Sequence, residues 1–149
     1  MEKISGLKKY IEDNLDKMDS SDGEYIHSPY IEEIINSFTE EESLFFSNEI
    51  ENWSEEIAYE VADPIIFGKN TFINQDYLYC LIFTKTSRLD ESQYLMENLW
   101  SCVSALNNEK KSVEFLKKIR TRIIENGHPK IGESLLVKNI DLKISEVKK

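Results

Sequence analysis

TEEESLFFSNEIENWSEEIAYEVADP, residues 39–64, is the stretch on which the fold turns. Thr39 followed three residues later by Glu42 is a capping box. The hydroxyl accepts from the Glu42 N–H, and the carboxylate reaches back to the Thr39 N–H. Beyond the box, Phe46, Ile50, Trp53, Ile57 and Val61 recur at spacings of four, three, four and four. On one continuous helix they fill a wedge of roughly 80°, narrow enough to be a core-facing stripe. The spacing predicts a single long helix that Asp63-Pro64 ends, because a residue before proline is pushed out of helical geometry.

Immediately beside that stripe the helix carries charge. Glu42, Glu49 and Glu56 recur every seven residues, and Glu60 falls on the same face. Phe45 and Tyr59 lie further round, away from the stripe. Between Met18 and Gly68 there is no lysine or arginine but fourteen Asp and Glu, so this window sums to −14. The remaining 98 residues hold 18 cations against 14 acids, and the chain as a whole is −10. An ordinary exposed helix relieves Glu with Lys four residues away, since like charges at that spacing repel. Nothing here relieves Glu51/Glu55 or Glu56/Glu60. A solvated face is one reading. The other is a docking surface, with carboxylates for a cationic protein and aromatics as anchors.

Working outward, Ile4, Leu7, Ile11, Leu15 and Met18 predict a first helix from about residue 3 to 18. Residues 19–23 read as a loop. Ser28-Pro29 reads as an N-cap and first turn, opening a short helix through Phe38. Asn74 is a cap for a helix over about 76–86, although its apolar run 77–84 also suits a buried strand. Asp90 and Gln93 resemble a second capping box, opening a helix with a broad stripe from Leu95 to Leu106 that reads as central. Ser112 opens a helix through Ile123, stopped by Gly127 and Pro129, and a last helix covers about 130–147.

The expectation is an all-α chain of one domain, 1–149, with about seven helices in antiparallel hairpins 28–63, 74–107 and 112–147. Either a HEAT- or armadillo-like stack or a compact orthogonal bundle fits that rhythm. The 149 residues suffice for one core, and five Gly and three Pro are few for a chain of many short strands.

No run reaches the ~20 apolar residues of a membrane span, and the N-terminus has no signal-peptide core. Cys80 and Cys102 lie among apolar residues without metal-site spacing, so reduced buried thiols and a cytoplasmic location are expected, with a disulfide between the two as the alternative. His27 and His128 read as surface loop residues. No nucleophile elbow, phosphate loop or calcium-loop rhythm is present, so no catalytic residue, cofactor or metal is expected. Lys110, Lys111, Lys117, Lys118, Arg120 and Arg122 make one helix basic. The net negative charge argues against nucleic acid, and no membrane partner is expected. That helix could also lie near the acidic one and offset part of its field.

In size, acidity, helical rhythm and lack of a catalytic motif, the chain resembles the small immunity proteins of bacterial toxin systems. The resemblance implies a cytoplasmic, non-catalytic inhibitor that binds and occludes a cognate toxin domain. The surface for it would be Glu42, Phe45, Glu49, Glu56, Tyr59 and Glu60, chosen from the helical wheel. The competing expectation is a helical-repeat adaptor or regulatory subunit with a nontoxic basic partner.

Overall fold

In the computed structural model, the described residues are 1–18, 26–106, 112–127 and 131–148, the side chains of 131–134 and 148 excepted. The fold is all-α. Among the described residues it comprises α1 (Glu2–Asn14), α2 (Ser28–Asn36), α3 (Glu40–Glu49), α4 (Glu55–Glu60) and α5 (Ala62–Ile66). These are followed by α6 (Gln75–Lys85), α7 (Leu89–Ala105), α8 (Val113–Glu125) and α9 (Ile131–Lys148).

Three starts follow the capping signals in the sequence. Thr39 Oγ1 accepts from the Glu42 N–H at 3.2 Å while Glu42 Oε1 accepts from the Thr39 N–H at 2.9 Å, completing the box. Asn74 Oδ1 accepts from the Tyr77 N–H at 3.1 Å, and Ser112 Oγ from the Phe115 N–H at 3.0 Å. The segment open to a strand reading is therefore helical. Two starts differ. Ser28 is the first helical residue of α2, with His27 in the cap position. At α7, Arg88 occupies the cap and makes no side-chain bond there. Asp90 lies in its first turn, where the helix dipole favours an anion. Gln93 donates instead to the Asn126 carbonyl at 3.1 Å.

The long helix expected over 40–63 is broken. After α3 the chain makes a 3-10 turn at Ile50–Asn52, and Trp53 and Ser54 are extended, with ψ of 149° and 155°. Ser54 Oγ accepts from the Ile57 N–H at 3.4 Å, and Glu55 and Glu56 follow in the first turn of α4. A serine with two acids behind it is a stronger helix start than a helix interior. Asp63-Pro64 likewise lies within α5 rather than ending a helix. In a first turn the missing proline N–H has no partner to lose. Phe46, Ile50, Trp53, Ile57 and Val61 are nonetheless all buried, because the chain turns with the core at each break.

One buried cluster runs from Ile4 to Ile144. Its centre is α6, which packs against α4, α5, α7 and α8 and buries Leu78, Tyr79, Cys80, Ile82 and Phe83. A helix apolar nearly all round is covered on several sides. Centrality thus belongs to α6 and not to α7, whose Trp100 is exposed. Sequence neighbours α6 and α7 pack together, as do α8 and α9. The first expected hairpin is replaced by α2 on α5, and by α1 on α3 and α4.

Candidate protein-docking surface

The break redistributes the residues chosen from the wheel. Glu42, Glu49, Glu56 and Glu60 do not share one helical face, since the first two are on α3 and the others on α4. Glu42 is occupied by the capping box and by Lys3, whose Nζ lies 3.3 Å from Oε1. The Thr39 N–H above all, with help from Lys3, holds its carboxyl below the usual range. Phe45 and Tyr59 are half-buried against the core and are not open anchors.

Tyr59 belongs to a cluster of phenols and carboxylates. Its ring meets Tyr94 edge-on, with centroids 6.4 Å apart. Burial first, then Glu91, Glu60 and Asp63, push its phenol far above the ordinary value. Tyr94 donates its hydroxyl to Asp63 Oδ2 at 2.5 Å, while Asp63 Oδ1 is buried with no partner among the described residues. Burial raises the Asp63 carboxyl despite the Tyr94 bond.

The exposed carboxylates that remain lie on both arms. Glu40 and Glu41 open α3, and Glu56 is exposed in the first turn of α4. Among the described residues, Glu40, Glu41, Glu49 and Glu56 form no ion pair. Glu55 accepts from the Ser87 hydroxyl at 2.6 Å.

Against the start of α3 and the end of α2 lies a loop, 67–73. Its organiser is Asn70, buried and fully bonded. Nδ2 donates to the Ile35 carbonyl at 2.8 Å and to Ser43 Oγ at 3.0 Å, and Oδ1 accepts from the Phe72 N–H at 2.9 Å. Asn36 Oδ1 accepts from the Lys69 N–H at 2.8 Å, and Gln75 Nε2 donates to the Ile65 and Gly68 carbonyls at 2.8 and 2.9 Å. A Cβ on Gly68 would lie 2.5 Å from the Pro64 carbonyl oxygen, so only glycine fits. Held in this frame, Phe67 is 58% and Phe72 57% exposed, and Leu44, next to the Ser43 anchor, is 64% exposed. Phe67, before Gly68, and Phe72, inside the Asn70–Ile73 turn, fit no apolar period that would mark them in the sequence.

Elsewhere, His27 is buried rather than superficial. Its Nδ1 meets the Tyr10 hydroxyl at 2.5 Å, because the start of α2 folds back on α1. His128, Lys110, Lys111 and the 19–23 loop lie outside the described residues. Cys80 and Cys102 are buried free thiols, the latter pushed up to about 12, chiefly by burial. The basic α8 pairs within its own neighbourhood: Arg120 with Asp141 at 2.7 Å and Arg122 with Glu125 at 2.9 Å. Its Lys118 lines a cleft of about 650 Å³ with Glu51, Tyr77, Lys85 and Phe115, the place where basic and acidic segments meet. Lys85 spans it, donating to the Glu51 carbonyl at 2.8 Å. Among the described residues no group of three or more His, Cys, Asp or Glu is placed to hold a metal, and no helix is long and apolar enough to cross a membrane.

Fold and surface together define an all-α chain with an acidic arm that contains no lysine or arginine. Comparison with protein-family models, curated proteins and solved structures finds no match.

Proposed function

We propose that this chain is a non-catalytic protein-binding module that engages a cationic partner through the carboxylates of α3 and α4. Within that class the reading we favour is a cytoplasmic immunity protein that binds a cognate toxin and occludes its working surface. One observation carries it: Glu40, Glu41, Glu49 and Glu56 remain without ion pairs among the described residues, in a segment with no basic residue of its own. Helix N-termini favour Glu40, Glu41 and Glu56 where they stand, so the four carboxylates keep their charge and leave it uncompensated, and a cationic partner would meet that clustered field, which also speeds encounter. With the helix broken, Glu49 and Glu56 sit on separate segments, so a partner would bridge two short arms rather than lie along one.

The test is expression of the gene neighbour alone and together with this protein. A neighbour toxic alone and harmless in company, with the two proteins co-purifying, supports immunity. A basic partner that binds but is innocuous alone supports the adaptor reading. No binding by a basic neighbour removes both.

A further inference from the structure

The geometry points to the 67–73 loop as the apolar anchor of the docking surface, with Phe67 and Phe72 seating against a basic protein segment that carries apolar side chains between its cations. This rests on the cationic-partner reading above and names the anchors that reading lacks.

Phe45, Phe46 and Tyr59, the aromatics of α3 and α4, are in the core or packed against it. The exposed apolar groups in the same region are Phe67, Phe72 and Leu44, each with more than half of its surface open to solvent. Single exposed apolar residues need no explanation, but two on one pinned loop, with a third next to the residue that pins it, are a different matter. Phe67 and Phe72 flank Asn70, and Leu44 follows the Ser43 to which Asn70 is tied.

The loop is also fixed in advance. The side chains of Asn36, Asn70 and Gln75 bond its backbone at Lys69, Phe72 and Gly68, and Gly68 lets it approach Pro64. Binding through a preordered loop avoids the entropic cost of ordering it, and rigid aromatics at the centre of a polar rim are the usual pattern of energetic anchors.

Charge selects the occupant. The loop is tied to α2 through Ile35 and Asn36 and to α3 through Ser43, and those two helices carry exposed Glu33, Glu40 and Glu41, while the loop itself carries one cation, Lys69. With three exposed carboxylates on the helices that hold the loop against its one lysine, the balance favours lysine or arginine interleaved with leucine-like groups and disfavours polyanions.

Two synthetic probes test this: an amphipathic Lys/Leu helical peptide and an oligolysine of equal charge, each titrated into isotopically labelled protein by NMR. We expect the Lys/Leu peptide to bind more tightly, with its largest amide shifts at Leu44 and across 67–73. Phe67→Ser with Phe72→Ser should weaken that peptide roughly tenfold or more while leaving oligolysine unaffected. Circular dichroism checks that the variant keeps its helices, which two exposed positions should permit. Equal binding of the Lys/Leu peptide to wild type and the Phe variant, or shifts centred on another helix, overturns the loop assignment. Glu40→Gln with Glu41→Gln separates the two levels. If it weakens both peptides while the Phe variant weakens neither, the acidic surface stands and the loop falls. If neither variant weakens either peptide, both fall.

Discussion

Asn70 Nδ2 donates to the Ile35 carbonyl at 2.8 Å across 35 residues of chain, closing the C-terminal end of α2 from a loop that follows α5. The same amide group reaches Ser43 on α3. One side chain therefore fixes where α2, α3 and the loop meet, and it is buried while doing so. A buried amide with its donors and acceptor engaged is costly to truncate, because its partners are left desolvated.

Asn70→Ala is accordingly expected to lower unfolding free energy by about 1–3 kcal/mol, the cost of stranding buried polar groups. Amide exchange at Phe72, whose N–H loses its acceptor, should accelerate more than exchange at Phe83 in the core of α6. Urea unfolding with hydrogen exchange measures both. Wild-type stability would show that the loop is not held as described.

Gly68→Ala tests the same frame from the backbone side. Its Cβ would meet the Pro64 carbonyl oxygen at 2.5 Å and Asn36 Oδ1 at 2.9 Å, and the first of these cannot swing aside. Overpacking of this kind costs about 1–3 kcal/mol. Gly6 offers a control on α1, where an added Cβ meets nothing within 4 Å. There alanine should be neutral or slightly stabilising, since it lowers the entropy of the unfolded chain and favours helix. Equal unfolding midpoints for the two variants would contradict the close approach.

Asp63 gives a pH dependence with a definite sign. Its carboxyl is raised in the fold, chiefly by burial, with Glu97 adding to that and the Tyr94 bond opposing it. A group that holds its proton more tightly when folded stabilises the fold only while protonated. That contribution disappears as pH rises from the ordinary Asp value of about 4 through the raised one. Asp63→Asn keeps an oxygen for the Tyr94 hydroxyl and never ionises. Its Tm should exceed that of wild type at pH 7, and the gap should close as pH falls below about 4. Calorimetry across pH checks this; a gap independent of pH would show that burial of the charge is not the cause.

The carboxylates of the two arms should act mainly on encounter. Glu49→Lys with Glu56→Lys is expected to slow association with a cationic partner on the order of tenfold at low salt, and much less at high salt where the field is screened. Stopped-flow mixing at two ionic strengths reads it directly. An unchanged rate constant at low salt would remove these residues from the surface.

Local chemistry was legible in the sequence wherever a cap was self-contained. The Thr39/Glu42 box, Asn74 and Ser112 each start a helix as their side chains dictate. The break at Trp53-Ser54 was hidden because the apolar spacing runs straight through it, and all five stripe residues are buried either way. Ser54 followed by Glu55 and Glu56 was the signal that could have revealed it. Docking anchors were less accessible still. Phe67 and Phe72 look like core residues until Asn70 is seen to hold the loop from beneath, a contact between residues 27 and 35 positions apart. His27 was misplaced for the same reason, since its burial depends on Tyr10, 17 residues earlier.

The loop divides its residues into two populations. Gly68, Asn70 and Ile73 are turned inward or fitted against backbone, while Phe67, Lys69, Thr71 and Phe72 face solvent and carry none of the frame through their side chains. A lineage could exchange the outward set freely and retain the fold, altering which partner is recognised without renegotiating the core. Inherited change along this segment should therefore alternate, with rigid positions interleaved among interchangeable ones, as in a mount that accepts different tools.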